Sequence, residues 1–492
     1  MRGILLCALA LSSSPALAGT FHVAPTGSDT AAGTEAAPWR TPQRAATAVQ
    51  PGDTVVIHAG TYAGFTVTAR GTAAAPIAFV AEGDARIDGT LGAGRDGILI
   101  EGGAWIRLEG LHVSGATRAG IAALDCHHVT VRGSRIDDNG TWGVFTAFCD
   151  DILVEDNEIS RSARQHGVYA SNSADRPVIR RNKIWGNGMC GIHMNGDINF
   201  GGDGVISGAV VEANVITDNG ELGGSGINGD GVTDAVIRNN VLDDNHASGV
   251  SLYRIDGGAA SVRNQVINNT IRMASDARWA INLQDGATGN VLRNNILLNA
   301  ASSRGAIDAC TTCTTGLVSE HNAVVGRFSI GGTVIDLATW RARTGADASS
   351  QVASAAELFT DPAAGDLTLR AGSPAIDQAT TEGAPATDVV ATARPQGAAI
   401  DIGAYEWCAG GCVPPDGGDG GGDDGAGGGD DAGPGSGSGD DAGTGDDAGE
   451  PRIGPAAEDE AGGCQAGGGG GLLGAACVLG LAALARRRRV RT

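Results

Sequence analysis

Seven short segments of the chain carry one pattern, apolar-x-x-Asn-x-apolar. They read VEDNEI (154–159), IRRNKI (179–184), VEANVI (211–216), IRNNVL (237–242), VINNTI (266–271), LRNNIL (292–297) and, more loosely, SEHNAV (319–324). The slot is held by Asn157, Asn182, Asn214, Asn240, Asn269, Asn295 and Asn322, and upstream by Ser134 and Leu111 at steps of 23 residues. A second strand follows each slot after 9–12 residues: Gly120-Ile121, Gly143-Val144, Gly167-Val168, Gly191-Ile192, Gly226-Ile227, Gly249-Val250, Ala280-Ile281 and Ala306-Ile307. Two registers held over eight units mean that each unit is one coil. A single coil cannot bury its apolar side chains, so coils must stack, about 4.8 Å apart, into continuous parallel sheet. The Asn slots then form an internal ladder. Asn suits such a turn because its amide satisfies backbone groups and because it tolerates left-handed geometry.

The predicted fold class is therefore all-β, a parallel β-helix of roughly ten coils between about residues 50 and 407. Abundant Gly and scarce aromatics fit it. A leucine-rich solenoid would need a fixed Leu scaffold and a strict period, and neither is present. The pattern over about 105–325 resembles the right-handed parallel β-helix repeat family, with the pectin-lyase-like fold. VVI (55–57), FTV (65–67), IAF (77–79) and ILI (98–100) look like less regular coils upstream. FHVAPTGSDTAAGT (21–34), PWRTPQRA (38–45) and PGDTVVIHAGTY (51–62) resemble the opening of secreted β-helix proteins, where a Trp-containing segment and a short helix cap the first coil. LTLRAGSPAID (367–377) with RPQGAAIDIGAYEW (394–407) resembles the choice-of-anchor Q motif of β-helix surface proteins. This gives an N-terminal cap and first coils at 19–104, regular repeats at 105–325, and C-terminal coils with that motif at 326–412.

The two ends read as addresses. Arg2, the apolar run Ile4–Leu11 and Ala16-Leu17-Ala18 have the form of a signal peptide, residues 1–18. Residues 413–463 are a Gly/Asp-rich linker with 14 acids and one arginine, without apolar periodicity, and are expected to be disordered. Residues 464–492 join Cys464 to a short apolar stretch and Arg486-Arg487-Arg488-Arg489. That tripartite form resembles the MYXO-CTERM sorting signal, and the resemblance implies anchoring at Cys464. The expectation is an exported monomer held at the cell surface or outer membrane through its C-terminal segment. With a net charge of −22, of which the linker carries a large part, the body is still acidic. That argues against nucleic acid as a partner.

Export permits disulfides. Cys126 and Cys149 each sit 15 residues past their slot, so they occupy the same place on adjacent coils and are predicted to bridge. The partners of Cys310, Cys313, Cys408 and Cys412 stay open, and Cys190 falls outside these pairs.

Along the second strand of each coil, side chains alternate in and out. The outward column one residue past each Gly-Ile or Gly-Val reads Ala122, Phe145, Tyr169, His193, Asn228, Ser251, Asn282, Asp308. The outward column two residues further reads Leu124, Ala147, Ser171, Asn195, Asp230, Tyr253, Gln284, Cys310. Polar residues concentrate in the middle coils. The longest step, 182 to 214, places extra chain (197–203) just after this strip, which predicts the wall of a groove for an extended polysaccharide. The family resemblance implies lysis by β-elimination, hydrolysis or epimerisation. Elimination needs a base, an acid and a group that neutralises a uronate carboxylate. His193 and Tyr169 are the candidate base and acid. Arg254, or a Ca²⁺ held by Asn195, Asp197, Asn228 and Asp230, is the candidate neutraliser. Tyr253 and Asn282 complete the expected substrate-binding set with Asn195, Asn228 and Asp230. A non-catalytic glycan-binding adhesin or structural envelope protein using the same face stays open beside the enzyme.

Overall fold

The computed structural model describes residues 18–412. The expected signal peptide, acidic linker and sorting segment with Cys464 lie outside the described residues, apart from Ala18. Among the described residues no helix is long and apolar enough to cross a membrane.

The repeat folds as its spacing predicts. Each regular coil carries three strands, which stack on their counterparts into three columns. The first column runs from Ala104–Glu109 through Val178–Arg180 to Val318–Glu320. The second runs from His112–Ser114 through Lys183–Trp185 to Gln351–Val352. Long early strands, Thr54–Tyr62 and Ile77–Asp88, bend through both of these columns and join them into one 22-stranded sheet. The third column is a separate 12-stranded sheet, from Phe65–Val67 through Ile192–Asn195 to the antiparallel hairpin Arg327–Ile330 and Thr333–Asp336. The stack is thus somewhat longer than the ten coils expected. It also starts earlier, because Thr20–Val23 pairs in parallel with Thr54–Ile57 instead of serving only as a cap. Trp39 stacks on Phe21 (4.8 Å) and the helix Pro42–Ala48 closes this end, as the opening motif implied.

Inward side chains of all three columns form one continuous aliphatic core. The glycine that opens most third-column strands has a steric reason. A Cβ on Gly167 would lie 2.8 Å from the Gly191 carbonyl oxygen, and one on Gly191 2.8 Å from that of Gly226. Chain stacked this closely has room only for hydrogen at that place.

The Asn slots form the expected ladder between the first two columns. Asn182 Oδ1 accepts from the backbone N–H and the side-chain amide of Asn157, both at 3.0 Å, and Asn214 Oδ1 does the same for Asn182. Each Asn Nδ2 also donates to a backbone carbonyl, as Asn182 does to Val154 (2.9 Å). The left-handed residue of the turn, however, is the one before the slot: Asp156, Arg181, Ala213, Asn239, Asn268, Asn294 and His321 all have positive φ. The slot selects Asn for its two-sided amide alone. Two further ladders escaped the sequence reading. Asn187, Asn219 and Asn245 stack at the next corner, and Asn264 on Asn290 at the third.

Among the described residues three disulfides close the expected pair Cys126–Cys149 (Cα–Cα 4.4 Å) and the local pairs Cys310–Cys313 and Cys408–Cys412. Bridges of this kind suit an oxidising, extracytoplasmic compartment.

The C-terminal region departs from expectation. Parallel stacking stops at Gln351–Val352, and helix Leu337–Thr344 covers the end with Trp340 stacked on Phe328 (5.0 Å). Residues from about 353 to 407 are not further coils. They fold back as a strap over the outer face of the second column, where Leu358, Phe359, Leu367, Ile400 and Ile402 pack on Val241, Ile296 and Leu298.

Candidate functional site

The register of the third column agrees with the sequence spacing. Tyr169 pairs with His193, and His193 with Asn228, on successive coils. Asn195 pairs likewise with Asp230, and Asp230 with Tyr253. Ile192 and Met194, on either side of His193, belong to the core, so His193 points to the opposite, outer face. The expected open groove is not there. His193 is only 2% exposed, and Tyr169, Asn195, Asn228, Asp230, Tyr253 and Asn282 are buried as well. Alternation was sufficient to find the face but could not show that side chains from neighbouring turns close over it.

The closed strip is organised by rings and hydrogen bonds. His193 lies flat on Tyr169, with centroids 4.9 Å apart and planes at 16°. His166, in the turn before Tyr169, is fully buried and its Nε2 lies 3.1 Å from His193 Nδ1. Burial, and secondarily the nearby His193, hold the His166 imidazole well below its ordinary pKa; burial brings that of His193 down to about 3. Both rings are therefore neutral near pH 7, and their tautomers follow from their partners. The Cys190 amide donates to His166 Nδ1 (3.2 Å), so His166 carries its proton on Nε2 and donates it to His193 Nδ1. His193 is left with its proton on Nε2. In this arrangement its Nδ1 already accepts the His166 proton and its Nε2 carries a proton of its own, so neither ring nitrogen is open for the role of general base assigned to it from sequence.

The other candidates are divided. Asn228 Nδ2 donates to the Tyr253 hydroxyl (2.6 Å), and Asn195 Nδ2 to that of Tyr169 (3.4 Å). Asn282 Oδ1 accepts from Gln284 (3.1 Å). Arg254 is exposed and stands three residues past Ser251, which is itself two coils from His193. Strand geometry separates the two Cα atoms by on the order of 14 Å, so Arg254 does not face the same substrate atoms. The expected calcium ligands have other tasks. Asp230 receives the amides of Ile255, Asp256 and Gly257 at 2.9–3.0 Å and holds that turn. Burial nevertheless outweighs these bonds and raises its pKa, as it does that of Asp197, whose Oδ1 accepts from both nitrogens of Asn199. Among the described residues the group of metal-ligating side chains that converges is His166, Cys190 and His193. His166 and Cys190 were not singled out by sequence as a pair, although each stands three residues before a member of the Tyr169–His193 pair.

The loop predicted to wall the strip does border it. Ile198–Phe200 forms a short helical turn, Ile198 N donates to Asp256 O (3.0 Å), and Gly204 N to Ser173 Oγ (2.9 Å). Ile198 and Phe200 on this loop, Ile255 beyond it and Leu222 at the opposite rim are all exposed. Below them on the same outer face, Trp142, Phe145 and Tyr169 form an aromatic ladder, with Trp142 stacked on Phe145 at 4.4 Å and Phe145 centred 5.6 Å from Tyr169. Elsewhere, a cavity of about 380 Å³ opens between the second and third columns, lined by Asn299, Arg304, Val325 and Arg327 among others.

Two family models match this chain: the Pel9A-like right-handed β-helix region over residues 21–163, and the right-handed β-helix region over residues 162–324. The chain is a right-handed β-helix. Its structure resembles that of pectate lyase Pel9A, with a TM-score of 0.56 at 18% identity, over 79% of this chain and 96% of that one. An alginate lyase from Paenibacillus sp. str. FPU-7 aligns with a TM-score of 0.44 at 25% identity, over 54% of this chain and 93% of the other. PfbA, a surface adhesin of Streptococcus pneumoniae, aligns with a TM-score of 0.38 at 11% identity, over 58% of this chain and 83% of the other. No curated protein matches in sequence. The Pel9A-like match ends at residue 163, before the strip that starts at His166.

Proposed function

We propose that this β-helix is a surface protein that binds polysaccharide along the outer face of its third column and does not cleave it. The observation that carries this reading is the contrast within that face. The polar side chains that could do chemistry are sealed, and the His193 ring is held by the proton of His166 at its Nδ1. Around them large apolar groups are exposed, Ile198, Phe200, Leu222 and Ile255 at the rims beside the polar Asn199 and Arg254, and the edge of the aromatic ladder below is half-buried at Trp142. A soluble protein keeps such side chains together on its surface where it meets a ligand. Flat apolar rings beside polar groups suit sugar rings, which present both kinds of surface.

Phe200→Ala tests it. The side chain is exposed, so folding stability should change by less than about 0.5 kcal/mol. Affinity for the glycan retained by the wild-type chain, measured by affinity electrophoresis against pectin, alginate and glycosaminoglycans, should fall about tenfold. Loss of one well-placed aromatic contact of about 1–1.5 kcal/mol corresponds to that factor. Release of unsaturated or reducing ends by the wild-type protein from any of these polymers would overturn the non-catalytic reading.

The same proposal includes export and attachment through residues 464–492. It is supported by the signal-like start, the three disulfides and the Gly-Cys, apolar and Arg-cluster order of the tail. Cys464→Ala should release the protein into the medium or leave its tail uncleaved. Cell fractionation with intact-mass measurement reads both, and unchanged display with unchanged mature mass would count against attachment at Cys464.

A further inference from the structure

The group His166, Cys190 and His193 has no part in the glycan-binding face, because all three residues are shut off from solvent. Coil stacking assembles them. Gly167 N donates to Cys190 O and Val168 N to Gly191 O, which sets His166 directly against Cys190 on the next coil. His193 follows three residues later on the same coil as Cys190, and its ring centroid lies 4.6 Å from that of His166. One ligand atom from each residue, two imidazole nitrogens and the thiol sulfur, lies within 4.8 Å of the others. The next coil leaves room for the sulfur: a Cβ on Gly224 would stand 2.7 Å from Cys190 Sγ, and Gly224 adopts φ +104°.

We propose that His166, Cys190 and His193 form a buried site for one thiophilic transition-metal ion, of the Zn²⁺ or Co²⁺ type. The donor set decides the class. Thiolate and imidazole favour Zn²⁺, Co²⁺ and copper ions, whereas Ca²⁺ and Mg²⁺ require oxygen ligands. Without metal, hydrogen bonds hold the two imidazoles together, and loading exchanges them for coordination. The Cys190 thiol proton leaves to solvent. The Nε2 proton of His166 moves to Nδ1, and the hydrogen bond from the Cys190 amide is given up. The free energy of binding a thiolate–imidazole set exceeds the loss of one or two hydrogen bonds by about an order of magnitude. A metal here would tie adjacent coils together beneath the ligand-binding face. The proposal does not depend on glycan binding.

The test is titration of the full chain, stripped of metal under reducing conditions that leave it folded by circular dichroism, with Co²⁺ alone. The wild type should take up one equivalent and develop a thiolate-to-cobalt charge-transfer band in the near ultraviolet. Cys190→Ser should lose that band, and His166→Asn should weaken uptake at least a hundredfold, while Cys464→Ala should behave as wild type. A folded wild-type chain that shows no charge-transfer band overturns the proposal whatever the variants do. So does a band that persists in Cys190→Ser, or one that vanishes in Cys464→Ala.

Discussion

Asn214→Leu should lower the stability of the solenoid by about 3–5 kcal/mol, although it exchanges one buried side chain for another of similar size. Asn214 is completely buried and makes four hydrogen bonds at once. Its Oδ1 accepts from the backbone and side-chain N–H of Asn182, and its Nδ2 donates to Ile179 O and Asn240 Oδ1. Leucine satisfies none of these. It strands donors and acceptors on both neighbouring coils, away from water, at about 1–3 kcal/mol each, partly offset by the apolar side chain. Because the ladder is a chain of amides, the damage should extend along it. Hydrogen exchange should quicken first at residues 179–184 and 237–242, the coils on either side, before the rest of the solenoid follows. Glu158→Gln, which disturbs only the exposed pair with Lys183 at 3.7 Å, should shift the denaturation midpoint by less than about 0.5 kcal/mol. A midpoint for Asn214→Leu within that range would mean that the ladder is not what fixes the turn.

The columns themselves were legible because two places in each coil are restricted to few residue types. The slot favours a side chain that accepts and donates along the axis, Asn in seven coils, and the opening of the third strand takes Gly or, at 280 and 306, Ala. Both constraints recur once per coil, so they survive steps that vary from 23 to 32 residues. The second Asn ladder was equally legible in principle. Asn187, Asn219 and Asn245 each follow their slot by five residues, as do Asn139 and Ser162, whose groups join the same corner. It is the weaker signal because the same place holds Ser162, Ala274 and Ala300 in other coils.

The candidate site was legible in register and illegible in exposure. Pairing of Tyr169, His193 and Asn228 follows from a count of residues, since parallel strands in a solenoid advance together. Burial of those same residues depends on how turns of unequal length fold over the face, and the sequence carries no period for that. The chemistry was lost for a related reason. The protonation site of His193 is set by His166, and that of His166 by the Cys190 amide, so the nature of the candidate base depends on a ring in the preceding coil. The C-terminal region failed differently. Its motif was visible, but a strap packed on the outside of a sheet and another coil stacked on its end both bury Leu and Ile at short intervals.

That strap is held by an ion pair whose loss should be severe and local. Arg394 and Glu406 are fully buried in their side chains and meet at 2.9 Å. The guanidinium also donates to Asp401 O (3.1 Å), to Gly403 O (2.9 Å) and, across to the solenoid, to Asn239 Oδ1 (3.3 Å). Burial alone would pull the Arg394 pKa down; Glu406, Asp388 and Asp401 oppose it. Arg394→Ala removes the cation of this group and leaves the Glu406 carboxylate enclosed with the amides of Gln396 and Asp401 but no opposite charge, a loss of about 3–5 kcal/mol. The main core of the solenoid does not include the strap residues, so the damage should stay with the strap. Limited proteolysis should cut within 375–407 at rates many times those of wild type. Hydrogen exchange at 104–324 should remain slow, and the newly uncovered Val241, Ile296 and Leu298 should bind an apolar dye. Replacing both partners, as Arg394→Met with Glu406→Leu, should restore much of the protection, because a pair of apolar side chains leaves no charge to solvate. Equal loss of protection along the whole chain would show instead that strap and solenoid unfold as one unit, and unchanged proteolysis would show that the ion pair does not hold the strap at all.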